Sequence, residues 1–151
     1  MSAEHRSRET MTSPSHERAE VAVPAPVLRI ARPSRNLDAV AGFYTRAFGL
    51  RVLESFTDDA GYEGVIIGHE RWPYHLELTH RSAHPVTPRP TPEDLLVLYL
   101  PDPAEWNEVI RRVRNIGAHP VPSRNPYWDR HGLTFEDPDG YRIVIANVGR
   151  P

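Results

Sequence analysis

The stretch "FEDPDGYRIVIANV", Phe135–Val148, decides the fold. Within it "DPDG" is a turn: Pro138 presets φ, Gly140 accepts a positive φ, and the two aspartates bond nearby backbone N–H groups. "YRIVIAN" then alternates with period two, which predicts a strand. Arg142, Val144 and Ala146 share one face, and Ile143 and Ile145 share the other. "GLTFED" immediately before the turn completes a hairpin.

Moving upstream, "LLVLYL" reads as a strand. Asp102 and Pro103 follow as N-cap and first helical residue. Trp106, Val109, Ile110 and Val113 form the buried stripe of that helix, and Gly117 ends it. "HPVPS" reads as a short strand and "NPYWDRH" as a loop. The same order occurs once before. "VLRIA" is a strand stopped by Pro33, and Asn36 caps a helix with Leu37, Val40, Ala41, Tyr44 and Phe48 on one face, closed by Gly49. "LRVLESF", "YEGVIIGH" and "YHLELTH" are three further strands, with turns at "DDAG" and "ERWP". The helix-ending glycines Gly49 and Gly117 lie 68 residues apart, and Tyr74 and Tyr141 lie 67 apart. Helix, cap and last strand thus repeat at nearly one offset, which marks a tandem duplication. The reading is an α+β fold of two βαβββ modules curving a sheet around one cavity. Module one spans about 27–80, a proline-rich linker about 81–92, and module two about 93–149, in one domain over 26–151. Residues 1–25 are polar, charged and proline-punctuated, and read as a disordered tail.

Composition narrows the function. There is no cysteine, hence no disulfide, thiolate nucleophile or cysteine-bound metal. A net charge of −2 gives no electrostatic footprint for nucleic acid. No apolar run reaches the roughly 18 residues of a membrane span, and the first residues lack a signal-peptide core. A cytoplasmic protein with neither nucleic acid nor membrane as partner is the reading, and it admits a homodimer.

Two βαβββ modules, "NLDAVAGFYTRAFGL" at the first strand-to-helix passage and the closing "DPDGYRIVI" together resemble the vicinal oxygen chelate superfamily. The superfamily includes glyoxalase I, extradiol dioxygenases, fosfomycin-resistance enzymes and bleomycin-resistance proteins. The resemblance covers about residues 27–149. It implies a cavity enclosed by both modules and a divalent metal held from the first and last strands of each.

Strand parity locates those positions. Leu28, Ile30, Leu76 and Leu78 go to the helix side, which leaves Arg29, His75, Glu77 and Thr79 on the concave face. Leu95, Val97 and Tyr99 face inward with Arg142, Val144 and Ala146. The family's four ligand positions then fall on Arg29, Glu77, Leu95 and Val144. Arginine is a permanent cation, and leucine and valine offer no lone pair, so only Glu77 is a plausible ligand. The expectation is no metal cofactor. A buried Arg29–Glu77 ion pair would stand in its place, and losing one partner would cost about 3–5 kcal/mol.

The other candidates follow from the same map. His75 and Glu77 are two legs of a relocated metal site if His131 or His80 supplies a third; otherwise they are an acid–base pair. The alternative for His75 is a half-buried histidine bonding across the sheet. Tyr127 and Trp128 stack on a flat ligand or cap the sheet edge. Tyr99 is a polar point in an otherwise apolar half-cavity, and Arg142 lies toward its mouth. Trp106 reads as core, Trp72 as local packing in a turn, and Arg111–Arg114 as a solvated helix face. The ligand so described has an apolar body and a polar end. Three functions stay open: a metal-independent binding protein, a glyoxalase-like enzyme (isomerase, lyase or dioxygenase) using His75 and Glu77, and a vestigial cavity.

Overall fold

The computed structural model describes residues 22–150. Residues 1–21, most of the predicted tail, lie outside it, and residues 22–27 are exposed and belong to no helix or strand. Module one runs β1 (Leu28–Pro33), α1 (Leu37–Phe48), β2 (Arg51–Thr57), β3 (Tyr62–Gly68) and β4 (Tyr74–Arg81). Module two runs β5 (Leu95–Tyr99), α2 (Pro103–Asn115), α3 (Pro126–His131), β6 (Gly132–Glu136) and β7 (Arg142–Ala146). The first sheet has the order β1-β4-β3-β2 and the second β5-β7-β6. In each, the first strand runs parallel to the last and the remaining pairs are antiparallel. The two sheets are not hydrogen-bonded to each other.

Local sequence sets the helix ends. The Asn36 side chain accepts the Ala39 N–H, and Gly49 closes α1 in the left-handed conformation at φ 67°. Asp102 caps α2 by accepting from Ala104 and Glu105, with Pro103 at the first position. α1 and α2 pack on each other, α1 on β2, β3 and β4, and α2 on β7. One apolar core therefore serves both modules: Phe43, Tyr44 and Leu78 join Val113, Phe135 and Ile143 in a single cluster. Trp106 belongs to its margin and donates its indole N–H to the Ile145 carbonyl at 2.9 Å.

Two sequence expectations need correction. "HPVPS" does not form a strand; it makes one bridge, Val121 to Thr134. Pro120 and Pro122 flank Val121 and have no N–H to extend a ladder. "NPYWDRH" is not a loop but α3, capped by Asn125 with Pro126 at its first turn. Asparagine followed by proline is itself a helix-start signal, and the aromatic residues behind it mask it.

The "DPDG" turn does more than reverse the chain. Asp137 accepts the Asp139 and Tyr141 N–H groups and, across the module boundary, the Tyr44 hydroxyl at 2.9 Å. Asp139 accepts the backbone N–H and the Nε of Arg35. The Arg32 guanidinium lies 4.2 Å from the centre of the Tyr141 ring. The corresponding turn of module one repeats two of the local hydrogen bonds one offset earlier. His69 Nδ1 accepts the Arg71 N–H and the His69 carbonyl accepts the Trp72 N–H, as Asp137 does for Asp139 and Gly140.

Candidate functional site

The parallel β1–β4 ladder sets Arg29 beside His75 and Ala31 beside Glu77, so these side chains share the face opposite the helices. Arg29 Nη1 donates to Glu77 Oε2 at 3.2 Å. The pair is not buried as expected: the Arg29 side chain is 47% exposed and that of Glu77 22%. The physical reason is position. β1 is the edge strand of its sheet, and Arg29 projects from it with open space on one side.

His75 is half-buried and its Nδ1 has no hydrogen-bond partner. Its ring lies over Gly68, the residue opposite it on β3, so closely that a Cβ there would stand 2.5 Å from Cδ2. Gly68 is therefore what makes room for the imidazole. His80, one proposed third ligand, has its Nδ1 3.1 Å from the Ser34 carbonyl. His131, the other, packs against the Tyr127 ring at 4.4 Å between centres. Among the described residues, no three His, Asp or Glu side chains gather as a metal site requires.

In module two the registers Leu95–Arg142, Val97–Val144 and Tyr99–Ala146 put the six inward residues on one face. That face is covered by the chain's own 121–131 segment. Val144 is fully buried, its register partner Thr134 meets Val121 through the bridge, and Ser123 Oγ bonds Thr134 Oγ1. Arg142 does not project into solvent. It bonds Glu136 Oε1 at 3.1 Å and the Pro122 carbonyl at 3.2 Å, which ties β7 to the covering segment. Tyr99, Trp128, Tyr127 and His131 form one chain of ring contacts, with centres 6.4, 5.0 and 4.4 Å apart. Arg29, His75 and Glu77 thus form one group, and Tyr99, Tyr127, Trp128 and His131 another. Leu95 is half-buried and Val144 fully buried, and neither side chain offers a polar atom.

A divalent metal does not fit these positions. Arg29 adds a cation where a ligand would donate, Leu95 and Val144 have no donor atom, and Glu77 is engaged by Arg29.

The main cavity, of about 480 Å³, opens at the seam between the modules. Leu28, Ile30, Trp72, Tyr74 and His75 line one side of it and β5 the other. Of the predicted site residues, His75 and Tyr99 line it, while Arg29 and Glu77 lie outside its lining. Among the wall residues that sequence reasoning missed are Leu28, Ile30, Trp72 and Tyr74. Strand parity sends Leu28 and Ile30 to the helix layer; Ile30 does pack at the core margin, whereas Leu28, at the sheet edge, is 57% exposed. Trp72 packs locally as expected, 5.5 Å from the His69 ring and 5.2 Å from the Tyr74 ring between centres, and also lines the cavity. The run Trp72–Pro73–Tyr74 at a strand start was the available signal: two aromatics spaced to share one face. Burial pushes the Tyr74 hydroxyl above the ordinary tyrosine range.

Comparison with known proteins agrees with this architecture. Residues 28–79 match the YycE-like N-terminal domain family, and residues 93–147 match the YycE-like C-terminal domain family. The YycE protein of Bacillus subtilis (strain 168) is 40% identical over 120 residues, which is 80% of this chain and 86% of that protein. The crystal structure of a YycE protein of Bacillus subtilis superposes with a TM-score of 0.77 at 38% identity, covering 84% of this chain and 93% of that one. Glyoxalase I of Leishmania major superposes at a TM-score of 0.63 and 21% identity, over 81% and 86% of the two chains. A point mutant of the fosfomycin resistance protein FosX of Listeria monocytogenes, complexed with Mn(II), gives 0.64 at 13% identity, over 85% and 95%. These two likenesses are of fold. With both modules matched in order, and a relative sharing two residues in five along most of its length, the chain belongs to the YycE-like family.

Proposed function

We propose that this chain is a metal-independent small-molecule binding protein of the glyoxalase/bleomycin-resistance type. It takes an amphipathic ligand in the cavity at the module seam. The observation that carries the reading is the Arg29–Glu77 contact where the family resemblance places metal ligands, with Leu95 and Val144 at the remaining two positions. The cavity supports it: apolar walls for the body of a ligand, with the His75 ring and the Tyr99 hydroxyl as polar points. We place the protein in the cytoplasm, as a monomer or homodimer, with neither nucleic acid nor membrane as partner. Among the described residues no helix is long and apolar enough to cross a membrane.

The test combines two measurements. Elemental analysis of protein purified without chelators is expected to find no stoichiometric zinc, nickel, manganese or iron, with no fall in melting temperature on adding EDTA. A thermal-shift screen of flat apolar compounds bearing one polar group is expected to find stabilising ligands. One tightly held metal per chain would overturn the reading.

The second reading is an enzyme in which His75 and Glu77 act as an acid–base pair, and the unpartnered His75 Nδ1 favours it. Under that reading His75→Ala retains ligand binding and loses turnover.

A further inference from the structure

The seam cavity runs along the edge of a strand. Five consecutive residues, Leu96–Leu100, line it. Alternate residues of a strand point to opposite faces, so a cavity against one face would meet only every second side chain. A run without gaps means that the cavity follows the border of β5. That border is unpaired, because β5 is the outermost strand of its sheet and has only β7 as neighbour.

The hydrogen bonds fix which backbone groups face the cavity. The Leu100 N–H donates to the Ala146 carbonyl. In a parallel pair, N–H and C=O of one residue turn to the same side and the next residue turns both away. Leu96 and Leu98 therefore share the orientation of Leu100 toward β7, and Val97 and Tyr99 present their N–H and C=O to the open edge. Two donors and two acceptors in strand geometry thus border an apolar cavity. Each prefers a hydrogen-bonding partner to desolvation.

Leu28 and Ile30 of β1 wall the cavity on the far side, with Trp72 and Tyr74 beside them. The edge is therefore recessed in a cleft and every residue of β5 is half-buried. A cleft of this form admits one extended chain more readily than the edge of a second folded sheet. At about 3.3 Å per residue, the five residues of β5 offer a border roughly 17 Å long.

We propose that the ligand of this cavity is an extended, amide-bearing molecule, a short peptide or peptide-like compound with apolar side groups. It adds to β5 as a strand by bonding the N–H and C=O of Val97 and Tyr99. The inference rests on the proposed function, since it names the chemical class of ligand in the same cavity.

The probe is acetyl-Leu-Val-Leu-amide, with its analogue N-methylated at the central amide, and 8-anilinonaphthalene-1-sulfonate as an apolar ligand without strand geometry. Binding is read by calorimetry and by tryptophan emission on the intact chain. The expected result is that all three bind and that N-methylation weakens the tripeptide by about tenfold or more, since it removes a donor and leaves an acceptor unpaired. Val97→Pro, which deletes one outward N–H at a strand edge where proline is tolerated, is expected to weaken the tripeptide comparably. Its melting temperature should stay near the original value and its circular dichroism should match that of the parent, so that the loss is not one of folding. If the dye binds while the tripeptide does not, or while both tripeptides bind equally, strand addition is overturned and the cavity reading stands. If nothing binds, both fall. If sedimentation shows a dimer that the tripeptide neither binds nor dissociates, the edge belongs to a second copy of the chain and the proposal fails.

Discussion

Arg29 and Glu77 meet diagonally across the parallel β1–β4 ladder, guanidinium Nη1 to carboxylate Oε2 at 3.2 Å, although Glu77 is in register with Ala31. The long arginine side chain spans the two-residue stagger, and both groups keep contact with water.

That exposure sets the energy of the pair. A double-mutant cycle through Arg29→Met and Glu77→Met, followed by urea unfolding, is expected to give a coupling of about 0.5–1 kcal/mol, the range of solvent-exposed ion pairs. This is well below the roughly 3–5 kcal/mol at stake when one member of a buried pair is removed. A coupling within that higher range would show that something shields the pair in solution.

Val144 makes the opposite case, because it is fully buried beneath the chain's own segment. Val144→Glu, which restores a carboxylate at the position the family resemblance assigns to a metal ligand, places a charge where no partner stands. The expected cost is more than about 3 kcal/mol of stability. Manganese or zinc added to the variant is expected to leave its melting temperature unchanged, since Arg29 and Leu95 still supply no ligand. A metal-dependent rise would contradict the account of the site.

Gly68→Ala tests the seat of the imidazole. The new methyl would stand 2.5 Å from the His75 ring, so the ring must move while the β3–β4 ladder can stay. The expected cost is about 1–3 kcal/mol of overpacking. The His75 ring protons should shift in the NMR spectrum, and affinity for ligands of the cavity should fall. An unchanged His75 signal would show that the ring does not rest on Gly68.

Asp137 gives a pH dependence whose sign is unusual for a carboxylate. Burial outweighs its hydrogen bonds from Tyr44, Asp139 and Tyr141 and the nearby charge of Arg32, and raises its pKa above the ordinary aspartate value. The folded state then holds its proton more tightly than the unfolded chain. This contribution to stability is fully present below the unfolded pKa of 3.8 and is lost as the pH rises through the raised folded value. Melting temperatures of Asp137→Asn are expected to decline less than those of the parent over that weakly acidic window. Parallel curves for the two proteins would show that Asp137 does not titrate there.

Much of this was legible in the sequence. Capping residues are local, so Asn36, Gly49 and Asp102 announced both long helices, and strand parity correctly placed Arg29, His75 and Glu77 on one face. What parity cannot give is depth. The same alternation fits Arg29, half in water at a sheet edge, and Val144, sealed under another segment. Nor does it show the space between two sheets, which depends on how the helices pack, so Leu28, Trp72 and Tyr74 emerged as cavity walls only in three dimensions. The polar bonds from Tyr44 to Asp137 and from Arg35 to Asp139 span 93 and 104 residues, beyond the reach of any local pattern.

The two homologous turns also bear on the protein's history. His69 and Arg71 in the first half, and Asp137 and Asp139 in the second, make corresponding turn hydrogen bonds, but among the described residues only the second pair grips the neighbouring half. A gene fusion of two first halves would lose the aspartates that Tyr44 and Arg35 require. A fusion of two second halves would keep the aspartates without that tyrosine and arginine, since Arg112 occupies the place of Tyr44 one offset later. The ancestral repeat could be built from one interchangeable unit; its descendant is bound to a fixed order and a fixed pairing, and each half evolves under the constraint of the other.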